Sequence, residues 1–458
     1  MHDLRKQALG LESGKTMSRK ARSKLGTPST SRGNSTAPSP RNDSRTASRN
    51  ASDDEDEFSD GTAWSNTSID EMIAPADEEE EAGPPVWIGQ LEDKMNEICD
   101  RKRSSAQGRE ETLTYFTALL TRHYTMEVIR PRIAELIPAI LKSVKSGKTE
   151  KETVLALKAL ALILVTDPSD TVYDVISGPT KNTITDAQHV DAKLAAIHSL
   201  SVATFYGGAS EDEVEAVMEF FLDVISSDGA VVEEADNAQI VEAALMEWGF
   251  LATQLEDMQE STEAAMETFV DQLDSSDVDV QVAAGQNIAL LFEKSYTEVE
   301  PEDHLSDDED PDDEELESIS GPRMVKRYTA YRQQHQLEQV LANLTNLSNK
   351  RLSKDDRKFL HRSFADVLTT VEKPIRGPYY STAINDETGK MYGSRMRIAI
   401  GGGNAMTIDK WWKLHRFNGL KRLLQSGFLV HYEFNEVIFE SLPVVTEVCR
   451  PRRRSPGR

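Results

Sequence analysis

From Arg109 to Tyr296 the chain keeps returning to one pattern. Apolar residues recur at helical spacing in successive blocks: Leu113, Phe116, Leu119 and Leu120; then Ile240, Val241, Ala244, Leu245, Trp248 and Leu251; then Met266, Phe269, Val270 and Leu273. Steps of three and four put each set on one helix face. Val154–Val165 is apolar on almost every side, which marks a helix enclosed by neighbours. Breaks are expected at Ser146-Gly147, Asp167-Pro168-Ser169, Ser177-Gly178-Pro179, Gly207-Gly208 and Ser227-Asp228-Gly229. No segment of this region alternates convincingly with a period of two. Helix pairs start near Arg109, Thr149, Ala187, Asp236 and Asp277, 38 to 49 residues apart. One such pair cannot bury its own apolar faces, so pairs at this period stack on one another. The expected fold is all-α: an armadillo/HEAT-like α-solenoid with a concave surface, followed by a small, mostly helical C-terminal domain.

Charge divides the chain into thirds of different character. Residues 1–50 hold 11 basic and 3 acidic residues (+8), residues 51–320 hold 16 and 63 (−47), and residues 321–458 hold 25 and 12 (+13), which together give the net charge of −26. Such asymmetry points to different partners for different regions. Residues 1–83 are rich in Ser, Thr, Arg, Asn and Pro, with acid runs at Asp53–Glu57 and Asp77–Glu81. They lack the aliphatic content needed to offset chain entropy and are expected to be a disordered tail, basic and then acidic. Glu298–Glu317 holds 13 acidic residues in 20, interrupted by Pro301 and Pro311, which makes an exposed linker. The division that follows is a tail over 1–83, a helical repeat domain over 84–296, an acidic linker over 297–321, a helical extension over 322–372, a C-terminal domain over 373–445 and a basic tail over 446–458. In the extension and the C-terminal domain, helices are expected over Arg323–Leu347 and Lys354–Val371. A short strand is expected at Arg395–Ile400. A last helix starts near Thr407 as N-cap, with Asp409 in its first turn.

Catalytic signatures are lacking. Gly10-Leu11-Glu12-Ser13-Gly14-Lys15-Thr16 is one residue short of a phosphate loop and has no strand or helix around it. Gly401–Gly403 reads as a turn or joint, and the nine histidines form no HExxH or HxH pattern. No Gly-x-Ser-x-Gly elbow occurs. Cys99 and Cys449 are the only cysteines, so neither a disulfide framework nor a CxxC zinc pair is possible. The carboxylates lie in runs, as in solvated linkers, whereas acid–base catalysis needs a pair held in a pocket. The expectation is a protein that is not an enzyme, with no cofactor, no metal and no small-molecule substrate. The first residues carry no apolar signal core, and Val154–Val165 holds about 12 residues with Lys158 among them, short of the roughly 20 a membrane span needs. A soluble protein without a membrane partner is expected, cytoplasmic with a nuclear option.

Binding signals are concentrated at the ends. Arg19, Lys20, Arg22 and Lys24, and Arg452, Arg453 and Arg454, are basic clusters of the kind that contact nucleic acid or serve as nuclear signals. On the last helix, Ile408, Trp411, Trp412, His415 and Leu423 fall on one side, and Lys410, Lys413 and Lys421 on the other. Cations beside aromatics suit RNA, whose phosphates take the charge and whose bases stack. Tryptophans packed into a small core, with solvated lysines outside, fit the same pattern.

Two stretches resemble a known family. One runs from Lys350-Arg351 through Asp356-Arg357-Lys358 to Arg362-Ser363-Phe364-Ala365-Asp366-Val367-Leu368. The other is Ile408-Asp409-Lys410-Trp411, continuing through Leu423-Leu424-Gln425-Ser426-Gly427 to His431 and Asn435-Glu436. In these motifs and in overall plan the chain resembles the interferon-related developmental regulators. The acidic insertion, the Gly401–Gly403 run and the Ser/Arg-rich tail depart from that family, are fungal-like in style, and inherit nothing. The resemblance implies transcriptional co-regulation through protein partners, or association with translationally inactive ribosomes, with the C-terminal part near the tRNA and mRNA paths. It implies no enzymatic activity. On this reading the solenoid holds proteins, and Lys410, Trp411, Trp412, Lys413, Arg416, Lys421 and Arg422 contact ribosomal or other RNA, with Lys350, Arg351, Arg357, Lys358 and Arg362 behind them. The alternative is a nuclear scaffold whose acidic solenoid binds chromatin-associated proteins.

Overall fold

Short polar side chains start the helices of the repeat region. Ser105 accepts a hydrogen bond from Gly108 N, Thr149 from Glu152 N, Asn237 from Gln239 N and Ile240 N, and Asp277 from Asp279 N and Val280 N. Ser210 and Glu213 form a reciprocal capping box. Each satisfies amide donors that a helix start leaves without partners. A computed structural model of the chain describes residues 85–101, 104–299, 324–346, 353–384, 391–394, 396–401, 404–443 and 446–448. The tail over 1–83, the acidic linker from 300 to 321, Lys350, Arg351 and the basic clusters Arg19–Lys24 and Arg452–Arg454 lie outside the described residues.

The helices are α1 (Val86–Cys99), α2 (Ala106–Arg122), α3 (Met126–Ile129), α4 (Ile133–Ser146), α5 (Glu150–Thr166), α6 (Tyr173–Asp186), α7 (Val190–Tyr206), α8 (Glu211–Ser226), α9 (Ala238–Ala252), α10 (Gln259–Gln272) and α11 (Val278–Lys294), followed by α12 (Gln334–Asn346) and α13 (Lys354–Glu372). They form two layers of an α-solenoid. The inner row is α2, α5, α7, α9, α11 and α13, each packed on the next. The outer row is α1, α4, α6, α8, α10 and α12, each packed on its inner partner. The expected pair starts near Arg109, Thr149, Ala187, Asp236 and Asp277 fall at or close to the starts of the inner helices. This placement explains the all-round apolar character of α5. Every residue from Leu155 to Thr166 is buried, because outer helix, row neighbours and C-terminal segment leave α5 no solvent face.

Three sequence expectations change. Pro179 does not break the chain: it sits inside α6, in the first half of the helix. Arg323–Leu347 is not one helix. Its start forms β2 (Met324–Lys326), antiparallel to β1 (Tyr296–Glu298), with Glu298 opposite Met324, and only then does α12 begin. The acidic insert therefore leaves and re-enters the fold at one place. Thr407 caps no helix, since it lies in a strand. That strand belongs to a sheet of β5 (Met396–Gly401), β6 (Asn404–Ile408) and β7 (Thr446–Val448), in the order β5-β6-β7. A hairpin of β3 (Tyr380–Ile384) and β4 (Met391–Ser394) precedes it. β5 matches the strand expected at Arg395–Ile400. The remaining C-terminal helices are α14 (Trp411–Leu424), α15 (Phe428–Phe434) and α16 (Glu436–Ser441). No described helix is long and apolar enough to cross a membrane.

Candidate functional site

The segment from Trp411 to Leu442 lies against the inner row and touches every helix of it near the C-terminal end. At α13, the indole Nε1 of Trp411 donates to Thr370 Oγ1 at 2.7 Å. At α11, the backbone N–H groups of Trp411 and Trp412 donate to the two carboxylate oxygens of Glu293, at 2.9 and 3.1 Å. At α9, Arg416 donates to the Oγ1 and carbonyl of Thr253, both at 2.9 Å, and to Ser441 O at 2.7 Å. At α7, Tyr206 OH donates to Ser441 Oγ at 3.0 Å. At α5, Asn435 Nδ2 donates to Val165 O at 2.9 Å. At α2, His431 Nε2 donates to the carbonyls of Leu120 and Thr121 at 2.9 and 3.1 Å. Helix C-termini carry carbonyls without intrahelical partners and a partial negative charge. Arginine answers both, and histidine and asparagine supply donors to the carbonyls.

Two buried carboxylates organise this contact. Glu293 is fully enclosed, and burial raises its pKa; Lys410 and the two amides of α14 pull in the opposite direction without cancelling it. Glu247 on α9 pairs with Arg422 and with His198 Nδ1, the latter at 2.7 Å. Burial, and then the Arg422 charge, hold the His198 imidazole well below its usual pKa, so it is neutral. His415 is likewise pushed down to about 4 by burial. The approach of the helices is close on both sides. A Cβ on Gly419 would sit 2.9 Å from the Phe250 ring, and one on Gly249 would sit 2.5 Å from the His415 ring.

The sequence-derived candidates on this helix divide accordingly. Trp411 is 2% exposed and points inwards. Arg416 is held between the rings of Phe205 and Trp412, at 5.2 and 5.0 Å. The Arg422 side chain, 8% exposed, is committed to Glu247. Lys413 Nζ bonds Asp409 at 2.7 Å and lies over the Trp412 ring, and Lys421 lies over Phe417. Lys410 precedes the helix and is half-buried. The candidates of α13 are not gathered with these. Arg357 bonds Ser353 O, Lys358 and Phe359 are exposed, and Arg362 stacks on Tyr379 at 4.4 Å. Arg376 stacks nearby in sequence, on Tyr380 at 5.3 Å.

The residues that organise the docking, Glu247 and Glu293, were not among the candidates. A signal was present for Glu247, which interrupts the apolar run Ala244-Leu245-Met246-Glu247-Trp248, where a solvated carboxylate has no place. Glu293 ends its run and is followed by Lys294, so its sequence reads as an ordinary helix end. A separate cleft of about 410 Å³ opens between α1, α2 and α4. Beneath it Glu152 accepts from Arg101 at 2.9 Å, Arg109 at 2.7 Å and Ser143 at 2.8 Å. Burial raises the Glu152 pKa, and the hydrogen bonds from Arg109 and Ser143 outweigh it, leaving the carboxylate below its usual range. Arg101 also donates to Ala139 O and Arg109 to Ser104 O, which fixes both guanidinium groups in place. Among the described residues no group of three or more His, Cys, Asp and Glu side chains is placed to hold a metal ion.

Comparison with known proteins gives a consistent result. The family model described as interferon-related developmental regulator matches residues 49–372, ending with α13 and before α14. An uncharacterized protein of Schizosaccharomyces pombe is 27% identical over 352 residues, 76% of this chain and 73% of its own length. Interferon-related developmental regulator 1 of Mus musculus is 24% identical over 371 residues, 78% of this chain and 73% of its own. The Homo sapiens protein of the same name is 23% identical over 371 residues, 78% and 72% of the two chains.

Proposed function

This chain belongs to the interferon-related developmental regulator family, and from that premise we propose that it is a non-enzymatic regulator that binds ribosomes or other RNA and represses translation or marks inactive ribosomes. The reading is carried by one observation. The +13 of residues 321–458 is partly displayed beside aromatic rings, with Lys358 and Phe359 exposed on α13, Arg362 over Tyr379 and Arg376 over Tyr380. Cation–aromatic surfaces of this kind take phosphates and stacked bases together. Arg416, Arg422 and Trp411 are occupied by the solenoid, and the Lys413 side chain is 13% exposed and held by Asp409, so in this arrangement the RNA surface is α13 and the chain after it, with Lys410 ahead of α14 and Lys421 on it. Protein partners use the solenoid. The working compartment is the cytoplasm, with access to the nucleus.

Sedimentation of the tagged protein through sucrose gradients tests this. Co-migration with ribosomal fractions at low salt is expected, weakened by Lys358→Glu with Arg357→Glu and by rising salt. Absence from those fractions at low salt would sink the idea. The second reading is a nuclear transcriptional co-regulator scaffold. It is favoured by the −47 of residues 51–320, which suits basic chromatin-associated proteins. Exclusion of the protein from the nucleus would remove it.

A further inference from the structure

We propose that the outward face of α15 and α16 is a docking surface for a basic protein segment, one that carries an aliphatic or aromatic anchor among its lysines and arginines. The proposal concerns a protein partner, goes beyond the RNA reading, and stands or falls without it.

Among the described residues nine large apolar side chains are exposed, and three of them, Leu429, Phe434 and Phe439, lie close together in sequence on these two short helices. Phe434 is 60% exposed and Phe439 49%. The helices leave them no inward position. On α15 the buried side chains are Phe428, His431 and Tyr432, and on α16 they are Ile438 and Ser441. At 100° per residue, Leu429, Phe434 and Phe439 turn the other way. Exposed apolar residues gathered in this manner mark a contact surface, where singly scattered ones do not. The face is also preformed. Asn435, between the helices, is tied to Val165 O, and His431 to the carbonyls of Leu120 and Thr121. The Phe439 ring packs 5.6 Å from Tyr432, which in turn stacks on Phe428. A partner meets side chains already in place, so little free energy is lost to ordering them.

Charge selects the partner. No Lys or Arg occurs between Arg422 and Arg450, although residues 321–458 carry +13. Glu433, Glu436 and Glu440 are exposed on the same two helices. Arg130, a cation that shares Tyr124 as a neighbour with Glu436, is paired with Asp167 at 2.7 Å. Three carboxylates repel RNA phosphates and anionic lipid headgroups. A second copy of this chain fits no better, because a two-fold contact pairs a patch with itself and would set glutamate against glutamate. Lysines and arginines answer the carboxylates at the rim while an apolar anchor covers the rings.

A random-peptide phage library, selected on the full chain and counter-selected on the double variant Phe434→Ser with Phe439→Ser, tests this. Both phenylalanines are exposed, so the variant should keep its helix signal. Peptides that distinguish the two proteins are expected to carry Lys or Arg around Leu, Ile or an aromatic residue. In fluorescence anisotropy such a peptide should bind the parent about tenfold more tightly than it binds the phenylalanine variant, or Glu433→Lys with Glu440→Lys. Arg357→Glu with Lys358→Glu, which probes the RNA surface, should bind it no more weakly than the parent. The proposal is overturned if no peptide distinguishes the proteins, if the selected peptides are acidic or uncharged, or if the glutamate variant binds as tightly as the parent. It is equally overturned if the α13 variant loses the peptide, or if the parent self-associates in sedimentation velocity and the phenylalanine variant does not.

Discussion

Glu293 accepts the backbone N–H of Trp411 at 2.9 Å across 118 residues of sequence. The carboxylate acts as an N-cap supplied by another helix, since Lys410 at the cap position makes no side-chain cap bond. Glu293→Ala leaves the first two amides of α14 buried without an acceptor and should lower stability by about 2 kcal/mol. Glu293→Gln keeps one acceptor and sheds a buried charge, and should stay within about 1 kcal/mol of the parent. Chemical denaturation of the three proteins checks the order; equal losses for Ala and Gln would remove the capping role.

Acidification should loosen the C-terminal segment. His415 has a folded pKa of about 4, depressed by burial, against an ordinary 6.5. A base with a depressed folded pKa binds its proton more readily when unfolded. Its contribution is therefore intact above about pH 6.5 and is lost as pH falls toward 4. At pH 5 the loss from His415 alone is about 2 kcal/mol. His431, depressed by burial despite its carbonyl partners, and His198 act in the same direction. Burial raises the folded pKa of Glu242 to about 7 and of Asp366 to about 6, which favours the fold over the same range. The test is therefore a comparison with His415→Gln: from pH 7 to pH 5 the Tm of the parent should fall relative to that of the variant, and a constant difference contradicts the assignment.

Gly249→Ala should be destabilising although alanine is the better helix former. The substitution gains about 1 kcal/mol of helix propensity. Its Cβ would lie 2.2 Å from Asn287 Oδ1 and 2.5 Å from the His415 ring. Overpacking of this kind costs about 1–3 kcal/mol, and here it falls on a backbone-to-ring contact with little room to yield. A net loss of up to about 2 kcal/mol in equilibrium unfolding is expected, with the far-ultraviolet helix signal retained. A gain in stability would show that α14 does not approach α9 this closely.

Arg422→Ala should cost about 3 kcal/mol, because it leaves Glu247 buried with one partner fewer. It should also raise the His198 pKa. The Arg422 charge that depresses it would be gone, and Glu247 would turn to the imidazole. Nuclear magnetic resonance titration of the His198 ring reads this directly. An unmoved titration would mean that burial alone sets it.

The repeat array was legible from sequence because its signal is local: Leu113, Phe116, Leu119 and Leu120 announce a helix whatever it packs against. Pro179 misled because a proline in a helix interior costs about 3 kcal/mol, and here the packing of α6 on α7 and α4 keeps the helix continuous across it. Lys413, expected on the outer side of α14, has a side chain only 13% exposed, bonded to Asp409, whereas the inward face was legible in Trp411, His415 and Leu423. What the inward face meets was not. Arg416 and Arg422 read as surface cations, since no local pattern tells a guanidinium that its partners are Thr253 and Glu247. Those pairings join positions more than a hundred residues apart, and a single sequence does not encode them in spacing.

Helical arrays usually grow and shrink freely, because each unit depends only on its neighbours. The run from Trp411 to Ser441 removes that freedom here. Its fixed length must reach α13 at one end and α2 at the other, so a pair of helices inserted between α5 and α9 would carry His431 and Asn435 out of register with Leu120 and Val165. The repeat number is thereby locked by a ruler built into the same chain, and the array must fold with its ends counted.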